Sequence, residues 1–371
     1  MRAFARAAIG AAALLLAASP AIFQTAAAQT VPQFQVDASW PKPLPNNWLF
    51  GQVANIAVDS NDHVWILQRP RTLSDDEKGA TLKPPRNKCC APAPSVMEFD
   101  AEGNFVQGWG FPEVKPWVIN EHGLFIDRAG AVWITGNAKD DSAIYKFSHD
   151  GKQLLLTIGV AGPTGGSNDT TKLGQPATVQ VDEDAHELFV ADGYGNRRVI
   201  VFDSNTGAFK RYWGAYGKKP NDDKQAPYSP EAPTPQQFAN PVHCATPSRD
   251  GYVYVCDRMN DRIQVFKKDG TFVTEWFYEK ATLGNGAVWG LALWPDAKQT
   301  FMLNNDGENN EVRILRRSDG QVVGAFGRSG RQAGQFHWVH ALAVDSKGNV
   351  YTGEVDNGKR IQKFKPTVPP Q

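Results

Sequence analysis

The chain repeats one pattern of about 40 residues six times, and this repetition constrains its fold more than any other feature. The copies have an apolar segment, a turn, a second apolar segment and a polar loop, followed in the first five copies by two further alternating segments. The turns are rich in Asp, Asn and Gly, as in SND, EGN, HDG, RDG and SKGN. A four-stranded unit of this size cannot bury both faces alone, so its copies must stack in a ring. The pattern predicts an all-β, six-bladed β-propeller with about four antiparallel strands per blade.

The propeller is predicted to span residues 33–368, and its sixth copy indicates how the ring closes. That copy has no convincing fourth strand after KRIQKF, whereas FQVDASWP at residues 34–41 reads as an extended segment. We expect this N-terminal segment to supply the missing strand. Long polar inserts are predicted to form loops over one face, at about 70–94, 159–172 and 215–237.

Residues 1–28 have the pattern of a signal peptide. Arg2 and Arg6 precede an apolar run that ends at Ala26-Ala27-Ala28, which matches a positive region, an apolar region and a small-residue cleavage site. The run is short and rich in Ala for a membrane span, although a single anchoring helix is the alternative. We expect export to a periplasm or to the outside, with no membrane span left after cleavage.

The charges balance, with 39 basic and 39 acidic residues. No basic field is available to hold nucleic acid, so we expect no nucleic-acid partner. The export predicted above permits disulfides among the four cysteines. Cys244 and Cys256 flank a short turn and either face each other across a hairpin or remain free thiols.

Histidine occupies one repeat position in every second blade. Five residues before the turn that follows the first strand, blades two, four and six carry His122, His243 and His340. The same position in blades one, three and five holds Ala54, Ala177 and Trp289. The first strand of a blade lines the channel, so the three imidazoles should face one axis and bind one metal ion with an open fourth position. The alternative is that each is a solvated or hydrogen-bonded channel residue. No role is assigned to the other four histidines, His63, His149, His186 and His337.

Two arginines and a tyrosine are predicted at the mouth of this site. Arg69 and Arg258 follow the second strands VWILQ and VYVCD, and Tyr194 follows that of blade three in ADGYGN. A guanidinium fork suits a substrate carboxylate, and nearby cations favour an ionised tyrosine that can act as a base. Ordinary rim salt bridges are the alternative for each residue. A further arginine recurs by blade and is predicted to brace the blades, as Arg198, Arg262 and Arg360.

In these residues the chain resembles NHL-repeat propellers and, more specifically, the peptidyl-α-hydroxyglycine α-amidating lyase family. VCDRMNDRIQVFKKDG and VADGYGNRRVIVFD resemble the NHL phrase, and the likeness to the lyases runs from about Phe50 to Phe364. EHGLFID, PVHCATP and WVHALAVD resemble the phrases that carry the family's zinc ligands. DGYGN resembles that of its catalytic tyrosine, and ILQRP and CDRMN those of its arginines. The resemblance implies zinc or a similar divalent metal on His122, His243 and His340, with catalytic Tyr194, Arg69 and Arg258.

The sequence departs from the family at several positions. The family has an aspartate that helps to hold a structural calcium where this chain has Ala341, and the other contacts would be backbone carbonyls at Ile56 and Leu124. The sequence therefore argues against calcium. Trp338 replaces a methionine, which changes the shape of the pocket, and Gly195 stands where the family has a cysteine.

The resemblance implies an enzyme that breaks down an α-hydroxyglycine-type carbinolamide. A metal binds the substrate hydroxyl, Tyr194 takes its proton, and cleavage of the C–N bond releases an amide and glyoxylate. The partner would be a small molecule or peptide that carries a carboxylate. Two alternatives stay open, a metal-dependent lactone or ester hydrolase and a non-catalytic NHL propeller that binds a protein or a glycan.

Overall fold

The computed structural model describes residue 1, residues 30–368 and residue 370. The predicted signal peptide therefore lies outside the described residues, apart from Met1. No helix within this described part is long and apolar enough to cross a bilayer. The helices there are short 3-10 turns, at Pro45–Asn47, Pro70–Thr72, Gly79–Thr81, Ala215–Gly217 and Arg258–Asn260.

Residues 30–368 form six four-stranded antiparallel blades, which confirms the predicted six-bladed propeller. From inner to outer strand, blade one has Gln52–Val58, Val64–Arg69, Val96–Phe99 and Phe105–Trp109, and blade two has Glu121–Ile126, Val132–Gly136, Ala143–Phe147 and Leu154–Gly159. Blade three has Thr178–Asp182, Glu187–Asp192, Arg198–Asp203 and Phe209–Trp213, and blade four has Val242–Pro247, Tyr252–Asp257, Arg262–Lys267 and Phe272–Phe277. Blade five has Gly290–Leu293, Phe301–Asp306, Glu311–Arg316 and Val322–Phe326, and blade six has Val339–Val344, Val350–Glu354, Ile361–Pro366 and Phe34–Asp37.

The ring is closed by the N-terminal strand, as the sequence predicts. Phe34–Asp37 pairs antiparallel with Ile361–Pro366 and forms the outermost strand of blade six. The inner strand of each blade contacts the inner strands of both neighbouring blades, including those of blades six and one. The six inner strands therefore surround one central channel.

The core lies between successive blades, because each blade buries apolar side chains on both faces. Trp65 and Leu67 of blade one pack against Leu124 and Val132 of blade two, for example, and all four are buried. Burial of this kind contributes roughly 25 cal/mol for each Å² of apolar surface. The blades are therefore held by their neighbours rather than by their own hydrogen bonds alone.

The inserts and the cysteines add cross-links to this ring. Trp48–Leu49 pairs in parallel with Ala91–Pro92, which anchors the long insert of blade one at its end. Cys244 and Cys256 face each other on the two inner strands of blade four and form a disulfide, and Cys89 is bonded to Cys90. The pairing that the sequence left open is thus a cross-strand bridge in blade four.

Candidate metal centre

A β-bulge lies at each of the three channel histidines. The pairing of the two inner strands shifts register between Glu121 and Gly123, between Val242 and Cys244, and between Val339 and Ala341. The residue left out of register is His122, His243 or His340. A bulge bends its strand and redirects the side chain of the extra residue, so the same local irregularity turns all three imidazoles toward the axis.

The three imidazoles meet at one point in the channel. Their ring centroids lie 5.1 Å apart for His122 and His243, 4.9 Å for His122 and His340, and 5.0 Å for His243 and His340. One ring nitrogen from each lies within 4.8 Å of those from the other two, and all three side chains are buried. The structure therefore brings together the three residues that the sequence singled out.

The second ring nitrogen of each histidine is held by the next blade. Nδ1 of His122 lies 2.8 Å from the carbonyl oxygen of Ala177, and Nδ1 of His340 lies 2.8 Å from that of Ala54. Nδ1 of His243 bonds the carbonyl of Trp289 in the same way. A carbonyl only accepts hydrogen bonds, so Nδ1 must carry the proton and Nε2 keeps a lone pair. Alternate blades thus supply the ligands, and the blades between them supply the carbonyls that orient them.

Burial keeps these histidines neutral. Loss of water lowers the pKa of His122 and His243 well below its usual value, and the charges of neighbouring histidines and arginines lower it further. Burial lowers the pKa of His340 to about 3. Among the described residues, the phenolic proton of Tyr194 is the one hydrogen that points at these lone pairs, and it satisfies only one of them. Three convergent imidazole lone pairs fit a divalent transition metal with an open coordination position.

Tyr194 lies directly beside the histidines. Its hydroxyl oxygen is 2.9 Å from Nε2 of His122 and 3.1 Å from Nε2 of His243. The side chain of Asn240 donates to the carbonyls of Gly193 and Asn196 at 2.7 and 2.8 Å, which fixes the loop. Gly193 packs so closely on Val242 that an added Cβ would overlap the Val242 backbone. The glycine in the DGYGN phrase is therefore needed to place the tyrosine against blade four.

Both predicted arginines border this centre but are held differently. Arg258 donates from Nη1 to the Tyr194 hydroxyl at 3.3 Å, and its guanidinium lies 4.6 Å from the ring centroid of Trp289. Arg69 donates from Nε to the carbonyl of Glu121 at 2.7 Å and from Nη1 to Gln52 at 2.9 Å. Burial lowers the pKa of Arg69, while the nearby Tyr194 opposes that effect. Arg258 thus contacts the tyrosine, and Arg69 is fixed next to the backbone that carries His122.

An aromatic wall of Trp289 and Trp338 completes the site. The sequence predicted a changed pocket shape at Trp338 and indicated no role for Trp289. The Trp289 ring centroid lies 5.6 Å from that of His340 and 5.3 Å from that of Trp338. Trp338 adopts a left-handed backbone conformation with φ of 55°. The sequence shows that Trp289 occupies, in blade five, the repeat position at which blades two, four and six carry histidine. Its stacking on Arg258 is not visible there, because it depends on contact between blades.

Comparison with known proteins shows relatives that align with most of this chain. No family model matches the chain. Peptidyl-glycine alpha-amidating monooxygenase B of Xenopus laevis is 30% identical over 338 residues, which are 89% of this chain and 35% of that protein. Peptidyl-alpha-hydroxyglycine alpha-amidating lyase 1 of Drosophila melanogaster is 28% identical over 346 residues, which are 88% of this chain and 58% of that protein. The chain thus spans about a third of the length of the first relative.

Two further likenesses concern the repeats and the fold. NHL repeat-containing protein 3 of Mus musculus is 27% identical over 347 residues, with 90% of this chain and 85% of that protein covered. The streptogramin B lyase structure has a TM-score of 0.52 and 15% identity, with 91% of this chain and 98% of that chain covered, and it supports the fold alone. The resemblance predicted from the motifs is confirmed, because the homologues include amidating lyases and NHL-repeat proteins. These relatives and the three-histidine group fit a lyase-type propeller and do not favour the two alternatives.

Proposed function

We propose that this chain is an exported, metal-dependent lyase that cleaves an α-hydroxyglycine-type carbinolamide into an amide and glyoxylate. The observation that carries the proposal is the contact of one tyrosine hydroxyl with two channel histidines and one arginine, at 2.9, 3.1 and 3.3 Å. The amidating lyases among the relatives support the reaction class. Export rests on the pattern of residues 1–28, and the mass of the mature protein checks it.

His122, His243 and His340 would hold the metal, with zinc as the expected ion. When bound, such an ion supplies Lewis acidity that makes a coordinated hydroxyl more acidic. The three carbonyls that accept from Nδ1 keep each Nε2 free for this role. The side chains of the three histidines are buried in the channel.

Tyr194 is proposed as the base. The guanidinium of Arg258 donates to the phenolic oxygen at 3.3 Å, and this oxygen would accept the hydroxyl proton of the substrate. The carbon–oxygen double bond forms as the C–N bond breaks, and the electron pair leaves on the amide nitrogen, which takes up a proton. The products are the amide and an aldehyde-acid, so atoms and charge balance.

Arg258 is proposed to bind the substrate carboxylate. Among the described residues its guanidinium makes one hydrogen bond, to Tyr194, whereas Arg69 is already fixed by two. An unfilled guanidinium fork suits a carboxylate. Arg69 then provides fixed positive charge beside His122. This arrangement favours a small molecule or a peptide end that carries a carboxylate.

The test combines metal analysis with turnover of an N-acyl-α-hydroxyglycine, followed by release of glyoxylate. We expect the His122→Ala/His243→Ala/His340→Ala variant to hold about one metal ion per chain fewer than the native protein and to lose turnover. Tyr194→Phe should keep that metal and lose about 10²–10⁴-fold in kcat. The exposed His186→Gln variant serves as the control and should match the native protein. Retention of all metal by the triple variant, or full turnover by Tyr194→Phe, would contradict the proposal.

A further inference from the structure

Blades two and six share an arrangement of three side chains near the turn between their two inner strands. An aspartate in the turn accepts a hydrogen bond from an aromatic side chain on the second strand, and a lysine on the third strand faces that aromatic residue. These residues are Asp127, Trp133 and Lys146 in blade two, and Asp345, Tyr351 and Lys363 in blade six. The lysine ammonium lies 4.7 Å from the ring centroid in blade two and 5.3 Å in blade six.

Blade one keeps two of these residues and reverses the charge of the third. Trp65 donates to Asp59 at 3.0 Å, as its counterparts do. The residue that faces Trp65 on the third strand is Glu98 in place of lysine. Asp59 is 9% exposed and the Glu98 side chain is 3% exposed. Blade one therefore has two nearly buried carboxylates at the positions where blades two and six have an aspartate and a lysine.

The titratable side chains that contact Glu98 are two histidines, and the Gln107 amide also donates to its Oε2 at 2.7 Å. Nδ1 of His63 lies 2.6 Å from Oε1 of Glu98, and Nε2 of His149, from blade two, lies 3.1 Å from Oε2. No lysine or arginine among the described residues pairs with Asp59 or Glu98. Ligand atoms of Asp59, His63 and Glu98 all lie within 4.8 Å of one another. Two adjacent buried carboxylates repel each other unless a cation lies between them.

We propose that Asp59, His63, Glu98 and His149 form a second site for a divalent transition metal, at the seam between blades one and two. Two imidazoles with carboxylates are the donor set of Zn²⁺, Co²⁺ or Ni²⁺ rather than of Ca²⁺ or Mg²⁺. The histidine side chains are 32% and 46% exposed, so an ion can enter from solvent. Trp65 packs edge-on against His149 with 4.8 Å between centroids, and this contact holds the imidazole beside Glu98.

This site is separate from the channel centre. His63 directly precedes strand Val64–Arg69, and Arg69 ends it, so the cluster and the channel arginine lie at opposite ends of one strand. The site also joins two blades, since His149 comes from the outer turn of blade two. A bound ion would therefore cross-link blades one and two without touching the residues that border the channel.

The test is a titration of the purified full chain with Zn²⁺, followed by calorimetry. The native protein should bind one more Zn²⁺ ion than Glu98→Lys and His63→Gln, or bind that ion at least about 100-fold more tightly. Loss of a residue that only supports a metal ligand already lowers metal affinity by up to about 100-fold, and loss of the ligand itself should lower it at least as much. Glu98→Lys is the sharpest variant, since it restores the residue type that blades two and six carry at this position. His186→Gln lies in an exposed turn and should bind like the native protein.

Equal stoichiometry and affinity in all four proteins would overturn the proposal. An NMR titration that shows His63 and His149 protonated in the presence of excess Zn²⁺ would also overturn the proposal. The positive charge of the two imidazolium groups would then balance the carboxylates without a metal ion. If Glu98→Lys fails to fold, His63→Gln and His149→Gln carry the same comparison. Turnover and metal content of the channel site should stay native in these variants, so the outcome is independent of the proposed lyase activity.

Discussion

The position and the tautomer of each channel histidine depend on two residues that lie in different blades. A histidine on a bulge supplies Nε2, and a carbonyl at the same repeat position of the next blade holds Nδ1. The residue types Ala54, Ala177 and Trp289 are dispensable for that bond, because the acceptor is backbone. A substitution at Ala177 therefore acts through packing, whereas one at His122 removes a ligand.

Asp261 is a buried carboxyl that destabilises the fold at high pH. Its Oδ1 accepts from the backbone of Ala287 at 2.7 Å, and burial raises its pKa to about 7. The folded-state pKa lies above the unfolded value near 4, so its contribution to stability is present below about pH 4 and is lost as pH rises through 7. Asp261→Asn keeps the acceptor and suits the left-handed backbone, where φ is 52°.

We expect Asp261→Asn to raise the free energy of unfolding relative to the native protein by about 1–3 kcal/mol at pH 8.5, and by much less at pH 4.5. Urea denaturation at the two pH values measures the difference. Asp269→Asn is the control, because Thr271 lowers the pKa of that exposed carboxyl and no gain at high pH is expected. An equal effect of Asp261→Asn at both pH values would contradict this account.

At the level of the strands, the recurring arginine ties each insert to its own blade. Arg262 is fully buried and bonds Asp257 at 2.7 Å, and it also donates to the carbonyls of Pro235 and Gln237 in the preceding insert. Arg198 and Arg360 bond Asp192 and Glu354 in the same way. The sequence predicted that this arginine braces one blade against another, and these contacts instead join the insert to the blade that carries the arginine.

Arg262→Met should lower the free energy of unfolding by about 3–5 kcal/mol, because it leaves Asp257 buried without its partner. The double variant Asp257→Asn/Arg262→Met should cost clearly less than the sum of the single changes. Chemical denaturation of the four proteins gives the coupling energy. Arg316→Met removes the exposed pair with Asp319 and should leave the free energy of unfolding close to that of the native protein. Additive effects at Asp257 and Arg262 would rule out this role for the pair.

For the whole ring, the closing strand joins the two ends of the described chain. Phe34 packs against Phe326 and Trp294 at 4.7 and 5.8 Å between ring centroids, while its strand pairs with Ile361–Pro366. Without this strand, blade six has three strands and an open edge. Because each blade is buried against its neighbours, an incomplete blade weakens the closure of the entire ring.

Removal of residues 1–37 should lower the melting temperature by about 5 °C or more, because it exposes a strand edge and apolar surface. Differential scanning calorimetry measures the shift. Gln35→Ala changes an exposed side chain on the same strand and should leave the melting temperature unchanged. An unshifted transition in the truncated chain would show that blade six is stable with three strands.

The repeat pattern was sufficient to predict the fold, and it singled out three histidines that the structure brings together. Period-two alternation and turn residues act locally, so they predict strands and blades without knowledge of contacts. In a ring of equivalent blades, residues at the same repeat position also lie at the same distance from the central axis and at the same height along it. Three histidines in alternate blades could therefore be placed around one point of that axis. Tyr194 and the two arginines were found in the same way, at strand ends that share one rim.

Only the tertiary structure decided which groups touch. Nδ1 of His340 bonds a carbonyl 286 residues earlier in the chain, and His149 reaches Glu98 from a different blade. The stacking of Arg258 on Trp289 and the two facing carboxylates of blade one are contacts of the same kind. Such contacts depend on distances between segments that are remote in sequence, and residue type and spacing carry no record of those distances.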